Sequence, residues 1–336
     1  MPMTRVDVEP PLFTRKYMNV ASPRYGTAVI EASDEFFADK ARLIKDAEPV
    51  YIPGKYDDHG KWMDGWESRR RRGRGHDWCI IELGVKSQIF GVEIDTTHFT
   101  GNYPPGASID GCADAARADE PDAWVSLLPT VDLAGDRRHF FAIENDAAWA
   151  LIRLNIYPDG GVARLRLFGK ARPDWPADTG ELIELSALRN GGRIVRYNDA
   201  HFGDVQALLA PGRGVTMGDG WETRRRREPG NDWIIIALGA PGVIHDVEID
   251  TAHFKGNFPQ SASLQAAYVT GETSADIATS ALFWDELLPN QPLSADAVHR
   301  FSLDKMLFDT PVTHVKLNIF PDGGISRLRV FGRRAE

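Results

Sequence analysis

Residues 64–72 read Asp-Gly-Trp-Glu-Ser-Arg-Arg-Arg-Arg, and residues 219–227 repeat this stretch with one change, Thr223 in place of Ser68. At the same offset, Val-Glu-Ile-Asp-Thr at 92–96 returns at 247–251. Solenoid and propeller units recur every 20 to 50 residues or so. A repeat with a much longer period therefore indicates that a whole domain has been duplicated. Many of the copied residues are polar, and because packing alone does not require polar residues, they are candidates for a functional site.

The chain has 336 residues, which suits two domains of roughly 150 residues, each able to bury its own core. Both copies of Leu-Asn-Ile-(Tyr/Phe)-Pro-Asp-Gly-Gly, at 154–161 and 317–324, lie shortly before the end of a half. The stretch 170–178 between the halves is interrupted by prolines, as linkers often are. We therefore predict domains at residues 1–172 and 173–336.

The composition excludes several classes of protein. With 39 basic and 48 acidic residues the net charge is −9, so general attraction to nucleic acid or to anionic membranes is not expected. No apolar stretch approaches the length of a membrane helix, and Met1–Pro11 lacks the apolar core of a signal peptide. We expect a cytoplasmic protein. The two cysteines, Cys79 and Cys112, correspond to Ile234 and Ala267 in the second copy and are interpreted as buried apolar residues that form no disulfide.

The patterned segments are short, apolar or alternating, and bounded by glycine, proline or aspartate, which is typical of strands. Residues 78–84 and 233–239 are predicted to be buried strands that end in a glycine turn, followed by second strands at 92–99 and 247–254. Arg153–Tyr157 and Arg164–Phe168 flank Pro-Asp-Gly-Gly, which predicts a β-hairpin. One short helix is predicted from Ser33 toward Leu43. The fold class is therefore all-β, with two tandem jelly-roll β-sandwich domains that arose by internal duplication.

Two acids stand on the same side of the second predicted strand. Alternation places Glu93 and Asp95 on one face and His98 just beyond them. The acids are consistent with a solvated outer face, and the histidine with a hydrogen-bonded structural role. The recurrence of all three at Glu248, Asp250 and His253 favours function, since histidine transfers protons near neutral pH. A second duplicated histidine, His139 with His299, fits a structural role better.

The four consecutive arginines form two pairs that face opposite ways in an extended chain, Arg69 with Arg71 and Arg70 with Arg72. One pair can serve a site while the other pairs with structural acids. Guanidinium groups bind carboxylates through two parallel hydrogen bonds, so a small anionic substrate is a reasonable ligand. A nucleic-acid site is disfavoured, because the chain is acidic and lacks a platform of aromatic and basic residues.

Several of these motifs together resemble the allantoicase family, the allantoate amidinohydrolases of purine breakdown. The resemblance extends from about Asn19 to Gly332. It rests on residues 33–38, 64–71, 76–78, 91–96, 98–104 and 155–161, and on their counterparts in the second half. The two halves differ at one pair of residues that is expected of the family. The second half has Thr313-His314, whereas the first half has Ala150-Leu151 at the same place.

The resemblance implies tandem jelly-roll domains related to galactose-binding modules, a homo-oligomer, and hydrolysis of allantoate to (S)-ureidoglycolate and urea. That reaction needs an anchor for the carboxylate, a base for water and a proton donor for the departing urea. The hypothesis gives these roles to an arginine of the run, to Glu93 or Asp95, and to His98. The predicted catalytic residues are Glu93, Asp95, His98, Glu248, Asp250 and His253. The predicted substrate-binding residues are Glu67, Arg69, Arg70, Arg71, Asn102, Glu222, Arg224, Arg225, Arg226 and Asn257.

Two alternatives remain open at this point. The jelly-roll fold also serves non-catalytic binding modules, and a fold does not determine a function. In metal-assisted hydrolysis, Glu93, Asp95 and His98 would instead be ligands of a divalent metal, although their spacing matches no standard ligand motif. No cofactor is predicted.

Overall fold

The computed structural model of the chain describes residues 9–178, 180–271 and 273–335. The prediction made for Met1–Pro11 falls mostly outside these residues. The described chain separates into two compact units, one extending to Pro173 and the other beginning at Asp174. Both are built almost entirely of strands, and the predicted all-β class with two tandem jelly-roll sandwiches is confirmed.

The first unit consists of short antiparallel strands and a few single helical turns. Helix α1 (Leu12–Lys16) precedes the strands, and 3₁₀ turns occupy Pro23–Tyr25, Lys40–Ile44, Ala115–Arg117 and Pro121–Ala123. The strands are β1 (Met18–Asn19), β2 (Ala28–Ala32), β3 (Tyr56–Asp57), β4 (Gly60–Lys61), β5 (Trp66–Glu67), β6 (Asp77–Asp95), β7 (Gly106–Cys112), β8 (Trp124–Asp132), β9 (Arg138–Ala142), β10 (Trp149–Tyr157), β11 (Gly161–Val162) and β12 (Arg164–Ala171).

Strand β6 organises this unit because its two halves pair with different neighbours. Its first half lies between β2 and β10, and β7 and β8 continue that sheet beyond β10. Its second half lies between β12 and β9, with β1 beyond β12. We call these the β10 sheet and the β12 sheet. They form the two layers of the sandwich, and β6 belongs to both.

Apolar side chains at alternate strand positions fill the space between the two sheets. Ile81, Ile94, Leu154 and Leu165 have no exposed surface, and each such side chain contributes roughly 1.5–3 kcal/mol by its burial. The intervening residues project from the outer faces. The outer face of the β12 sheet therefore carries residues 93, 95, 164 and 166, and the outer face of the β10 sheet carries residues 153, 155 and 157.

The second unit repeats this plan. Strand β17 pairs with β14 and β21 in its first half, and with β23 and β20 in its second half. Helix α2 (Ser274–Ser280) and 3₁₀ turns at Leu188–Asn190, Val205–Leu209 and Leu303–Lys305 are its helical elements. Its strands are β13 (Ile183–Glu184), β14 (Arg193–Tyr197), β15 (Phe202–Gly203), β16 (Trp221–Glu222), β17 (Asp232–Asp250), β18 (Ser261–Ala267), β19 (Asp285–Pro292), β20 (Val298–Phe301), β21 (Val312–Phe320), β22 (Gly324–Ile325) and β23 (Arg327–Arg334).

The predicted glycine turn at Gly84 is wrong, because β6 continues through it to Asp95. A Cβ atom at Gly84 would lie 2.0 Å from the carbonyl oxygen of Tyr25, so the glycine permits a close backbone approach. The predicted strand at 92–99 ends early for a local reason. Asp95 Oδ1 accepts a hydrogen bond from the Thr97 backbone N–H at 2.8 Å, and His98 adopts a left-handed conformation with φ of 71°.

The predicted hairpin is also wrong. Strands β10 and β12 pair with different halves of β6 and not with each other, because Pro158–Gly161 carries the chain from one sheet to the other. The helix predicted after Ser33 is replaced by a 3₁₀ turn that begins at Lys40. Ser33 does not cap a helix; its hydroxyl donates to Asp77 at 2.9 Å and accepts from the Trp78 backbone N–H at 3.0 Å.

Candidate active site

The predicted acid Glu93 is fully buried on the outer face of the β12 sheet. Its Oε1 and Oε2 accept from Arg138 Nε and Nη2 at 2.6 and 3.0 Å, and Oε1 also accepts from Arg166 Nη1 at 3.0 Å. Both oxygens are therefore engaged and shielded from solvent. Removing one member of such a buried ionic cluster leaves an uncompensated charge, so the geometry favours a structural role for Glu93.

Asp95, the second predicted acid, is equally buried but has fewer partners. Its Oδ1 accepts from Thr97, whereas its Oδ2 is buried and has no hydrogen-bond partner within the described part of the chain. Burial raises the pKa of the Asp95 carboxyl, since the charged form is poorly solvated there. Asp95 is therefore the less constrained of the two acids.

The corresponding acids of the second unit have different surroundings. Asp250 Oδ2 accepts from Arg213 Nε at 3.1 Å, and Glu248 Oε2 accepts from Arg300 Nε at 3.0 Å. Glu248 also lines a cavity of about 490 Å³. The other charged residues of that cavity are Glu184, Arg189, Arg300 and Arg329. Burial raises the pKa of the Glu184 carboxyl.

The predicted histidines occupy tight turns and contact backbone groups. The His98 backbone N–H donates to Asp136 Oδ1 at 2.8 Å, and its Nε2 donates to the carbonyl oxygen of Pro49 at 3.3 Å. In the second unit, His253 Nε2 donates to the carbonyl oxygen of Gly214 at 2.7 Å. These contacts anchor loops, and within the described residues His98 makes no hydrogen bond to Glu93 or Asp95.

His139 fits the structural role predicted for it. Its Nε2 accepts from the Ala134 backbone N–H at 2.9 Å, so its Nδ1 carries the proton and donates to the carbonyl oxygen of Ile94 at 3.1 Å. Burial lowers the pKa of His139. His299 makes the matching pair of contacts with Ser294 and Ile249.

The arginine run alternates in its contacts. Arg69 forms an ion pair with Asp34 at 2.6 Å and Arg71 with Asp77, while Arg70 and Arg72 are exposed. Arg224 and Arg226 repeat these pairs with Asp199 and Asp232 at 2.8 and 2.9 Å. Of the predicted arginines, the structure therefore commits Arg69, Arg71, Arg224 and Arg226 to intramolecular acids and leaves Arg70 and Arg225 exposed to solvent.

Glu67 and Asn102, both predicted to bind substrate, contact each other. Asn102 Nδ2 donates to Glu67 Oε1 at 2.7 Å, and Asn257 donates to Glu222 in the second unit. Burial raises the pKa of the Glu67 carboxyl. These pairs join the loop after β6 or β17 to the short strand β5 or β16, beside the Pro-Asp-Gly-Gly turn.

The prediction missed a polar pocket on the outer face of the β10 sheet, which we call the outer-sheet pocket. Its volume is about 400 Å³. Asp110 Oδ2 accepts from Arg153 Nη2 at 2.9 Å and from Asn155 Nδ2 at 2.8 Å, and Asn155 Oδ1 lies 3.2 Å from His76 Nε2. The other polar residues of the pocket are Ser108, Ser126, Thr130 and Tyr157. The signal was present in the sequence, because polar residues alternate at 153, 155 and 157.

The second unit has different side chains at the matching positions. Asn231, Gln265 and Lys316 stand where the first unit has His76, Asp110 and Arg153, and Asn318 stands where it has Asn155. Lys316 Nζ donates to the carbonyl oxygen of Ala281 at 3.3 Å. Burial lowers the pKa of Lys316. The matching positions therefore lack the histidine, the aspartate and the arginine, while Glu286, the ladder partner of Gln265, stands where the first unit has Ser126.

The described residues contain no group of three or more His, Cys, Asp and Glu residues placed to hold a metal ion, so Glu93, Asp95 and His98 do not form such a group. No helix among them has both the length and the apolar character needed to cross a bilayer. Cys79 and Cys112 are buried free thiols.

The fold and these polar features define a duplicated jelly-roll protein that carries ionic and hydrogen-bonding groups on its sheet faces and connecting loops. The family model described as Allantoicase repeat matches residues 18–172 and 183–335. The chain therefore belongs to the allantoicase family.

Individual relatives agree with this assignment. "Probable allantoicase 2" of Burkholderia pseudomallei is 55% identical over 98% of this chain and 98% of its own length. "Probable allantoicase" of Rhizobium meliloti is 52% identical over 99% of both chains. The crystal structure of allantoicase from Saccharomyces cerevisiae superposes with a TM-score of 0.78 at 36% identity, covering 94% of this chain and 93% of that chain.

Proposed function

We propose that this chain is an active allantoicase, a hydrolase of C–N bonds in linear amidines that converts allantoate to (S)-ureidoglycolate and urea in purine (allantoin) degradation. The observation that carries the proposal is the match to proteins named allantoicase over nearly the full length of both chains. Both duplicated units take part in that match.

The reaction defines what the site must supply. The bond between the central carbon of allantoate and one ureido nitrogen breaks, and its electron pair stays on the nitrogen. A water oxygen forms the new bond to carbon and loses one proton, while the departing nitrogen gains one. A cationic side chain is needed for the carboxylate, and a group that accepts and returns a proton is needed for the water and the urea.

The direct test measures urea released from allantoate by the purified chain. We expect time-dependent urea in proportion to enzyme concentration. Urea no higher than the enzyme-free blank, with and without added divalent metal, would instead leave a non-catalytic jelly-roll binding module. Activity that is lost on chelation and restored by one metal would assign metal-assisted hydrolysis.

The predicted catalytic acids are best tested as a pair across the units. Glu93 has no exposed surface, whereas the Glu248 side chain is 16% exposed. We therefore expect Glu93→Gln to lower the free energy of unfolding more than Glu248→Gln. The kcat per folded molecule separates the roles. If the glutamate is the base, its variant should lose about a hundredfold or more in kcat with an unchanged unfolding curve. If the glutamate is structural, its variant should unfold more easily and keep its kcat per folded molecule.

The remaining assignments concern organisation. The domains are residues 1–172 and 173–336, the protein is cytoplasmic, and it is a homo-oligomer that binds neither nucleic acid nor membrane. The two compact units support the domain division, and the net charge of −9 supports the absence of binding to nucleic acid and membranes. Light scattering during size-exclusion chromatography measures the oligomeric state, and a monomer mass would contradict it.

A further inference from the structure

We infer that the outer-sheet pocket of the first unit binds a small carboxylate bearing ureido groups and hydrolyses it with His76 as the proton carrier, whereas the matching place in the second unit is not catalytic. The inference rests on the proposed function and adds the location and the reacting groups. None of His76, Asp110 and Arg153 belongs to the predicted site. The inference is based on hydrogen bonds that link Asp110, Asn155 and His76 and whose donors and acceptors are fixed.

The chain of hydrogen bonds starts at Asn155, which is only 3% exposed. Its Nδ2 lies 2.8 Å from Asp110 Oδ2, and an ionised carboxylate only accepts hydrogen bonds. The same nitrogen lies 3.1 Å from Ser108 Oγ. The amide orientation is therefore fixed, and Asn155 Oδ1 must point toward His76.

The orientation of the Asn155 amide fixes which ring nitrogen of His76 carries the proton. Asn155 Oδ1 can only accept, so His76 Nε2, at 3.2 Å, carries the proton. In neutral His76 the lone pair then resides on Nδ1, which has no hydrogen-bond partner in the described part of the chain. The imidazole packs beside Tyr157, with ring centroids 4.7 Å apart, which restricts its orientation. A neutral imidazole with a fixed tautomer and an unoccupied nitrogen is suited to take a proton from water.

Arg153 and Asp110 supply the groups that recognise the ligand. Arg153 Nε and Nη2 both bond to Asp110 Oδ2, at 3.2 and 2.9 Å. Within the described residues, Arg153 Nη1 and Asp110 Oδ1 make no hydrogen bond. The guanidinium carbon also lies 4.4 Å from the centroid of the Trp124 ring, which holds the side chain in place. A carboxylate can bond to Nη1, and a ureido N–H can donate to Asp110 Oδ1.

The reaction then balances within the pocket. His76 Nδ1 takes a proton from water as the water oxygen bonds to the central carbon. The C–N bond breaks with its electron pair on nitrogen, and His76 returns the same proton to that nitrogen as urea departs. No oxidant, reductant or further reactant is required.

The second unit supplies the matched contrast. Its Asn231, Gln265 and Lys316 cannot provide a neutral proton carrier, an anionic acceptor or a guanidinium fork at the positions of His76, Asp110 and Arg153. Its only acid at this place among the described ladder partners is Glu286, which stands where the first unit has Ser126. The second-unit residues also show that the scaffold accommodates such side chains. Replacing residues of the first unit by their second-unit counterparts is therefore expected to preserve folding.

The experiment compares His76→Asn and Asp110→Gln with their mirror variants Asn231→His and Gln265→Asp. We expect either first-unit variant to lose about a hundredfold or more in kcat. Arg153→Lys is expected mainly to raise KM, because lysine lacks the fork. The second-unit variants should retain kcat and KM. Wild-type kcat in His76→Asn, with an unchanged unfolding curve, would overturn the inference.

A chemical rescue separates catalysis from structure. In His76→Ala, added imidazole should restore part of the urea release, whereas it should restore none in Asp110→Gln. Absence of rescue in a folded His76→Ala protein would argue against the proton role. If the wild-type chain releases no urea, the proposed function itself fails; if the wild type is active and the His76 and Asp110 variants are equally active, only this inference fails.

Discussion

The two units share a scaffold and differ in the chemistry that the scaffold displays. Trp66 and Trp221 are both fully buried, and Arg164 and Arg327 each donate to a backbone carbonyl and to the carboxylate of the duplicated aspartate, Asp64 or Asp219. By contrast, the outer-sheet pocket has three of its principal side chains replaced in the second unit. The recurring polar residues named here therefore hold the sandwich together, and the chemistry that we propose lies where the copies have diverged.

The loop before the duplicated motif shows the same division. Val50 and Val215 each donate their backbone N–H to the duplicated aspartate, at 3.2 and 3.1 Å. Between Val50 and Asp64 the first unit inserts the hairpin β3–β4, whereas only a short turn separates Val215 from Asp219. The Asp64 side chain is 5% exposed and that of Asp219 is 25% exposed. The same ion pair is thus buried to different extents.

The largest expected effect tests that difference in burial. In Arg164→Met, Asp64 loses its 2.6 Å partner in a buried place, and we expect the free energy of unfolding of the first unit to fall by about 3–5 kcal/mol. Arg327→Met should cost less, because solvent reaches Asp219. Denaturant unfolding measures both. The control is Arg300→Met, whose side chain is 79% exposed; a loss there equal to that of Arg164→Met would contradict the comparison.

A pH effect of intermediate size is expected from a histidine of the second unit. Burial lowers the pKa of His314 to about 4 from 6.5, and Leu151 occupies its place in the first unit. Between these values the unfolded chain binds a proton that the folded unit does not, so stability falls as the pH drops from 6.5 toward 4.

His314→Leu should remove this fall, which amounts to about 2 kcal/mol between pH 7 and pH 5. Unfolding curves at the two pH values, compared with the wild type, measure it. Leu151→His is the reciprocal variant and should introduce the same dependence into the first unit. An equal pH response of the wild type and His314→Leu would show that His314 is not the cause.

The smallest effect concerns the duplicated aspartates. Burial raises the pKa of Asp95, so its charged form costs stability above that pKa, and the cost is relieved as the pH falls through it. Asp95→Asn keeps the acceptor for Thr97 and should be neutral or stabilising by about 1 kcal/mol at pH 7. The gain should vanish at acidic pH.

Asp250→Asn is the matching variant of the second unit. It loses the ion pair with Arg213, whose side chain is 55% exposed, and should lower the free energy of unfolding by less than about 1 kcal/mol. Losses of the same size in Asp95→Asn and Asp250→Asn would refute the expected difference between the two aspartates.

The sequence predicts the class of fold well because alternation and turn residues are local signals. Pairing is less predictable, since it depends on partners far along the chain. Gly84 resembles a strand end, yet it lies inside β6 because the Tyr25 carbonyl approaches it. Ser33 resembles a helix cap, yet Asp77 and Trp78 are its partners. The strands on either side of Pro158 resemble a hairpin in the sequence, yet each of them pairs with β6.

The proposed site is harder to predict from the sequence, because it also depends on residues that are far apart along the chain. Duplication directed attention to Glu93, Asp95 and His98, and the first two are buried on the outer face of the β12 sheet. The outer-sheet pocket is assembled from four strands that are neighbours only in the folded unit, namely β6, β7, β8 and β10. Asn155 looks like an ordinary outward-facing residue until its burial and its bond to Asp110 are known. Divergence between the copies at His76 was visible, but nothing in one sequence says whether divergence means loss or specialisation.

The long strand β6 also has a consequence for how each unit comes together. Because it belongs to both layers, neither layer can melt without unpairing the other, so a unit should open and close cooperatively, with its slowest hydrogen exchange along β6. Its partners β10 and β12, with the short β11 between them, are the last strands of the unit to leave the ribosome. Until then both halves of β6 have an unpaired edge, which makes the nascent unit dependent on protection from aggregation until its final strand is synthesised.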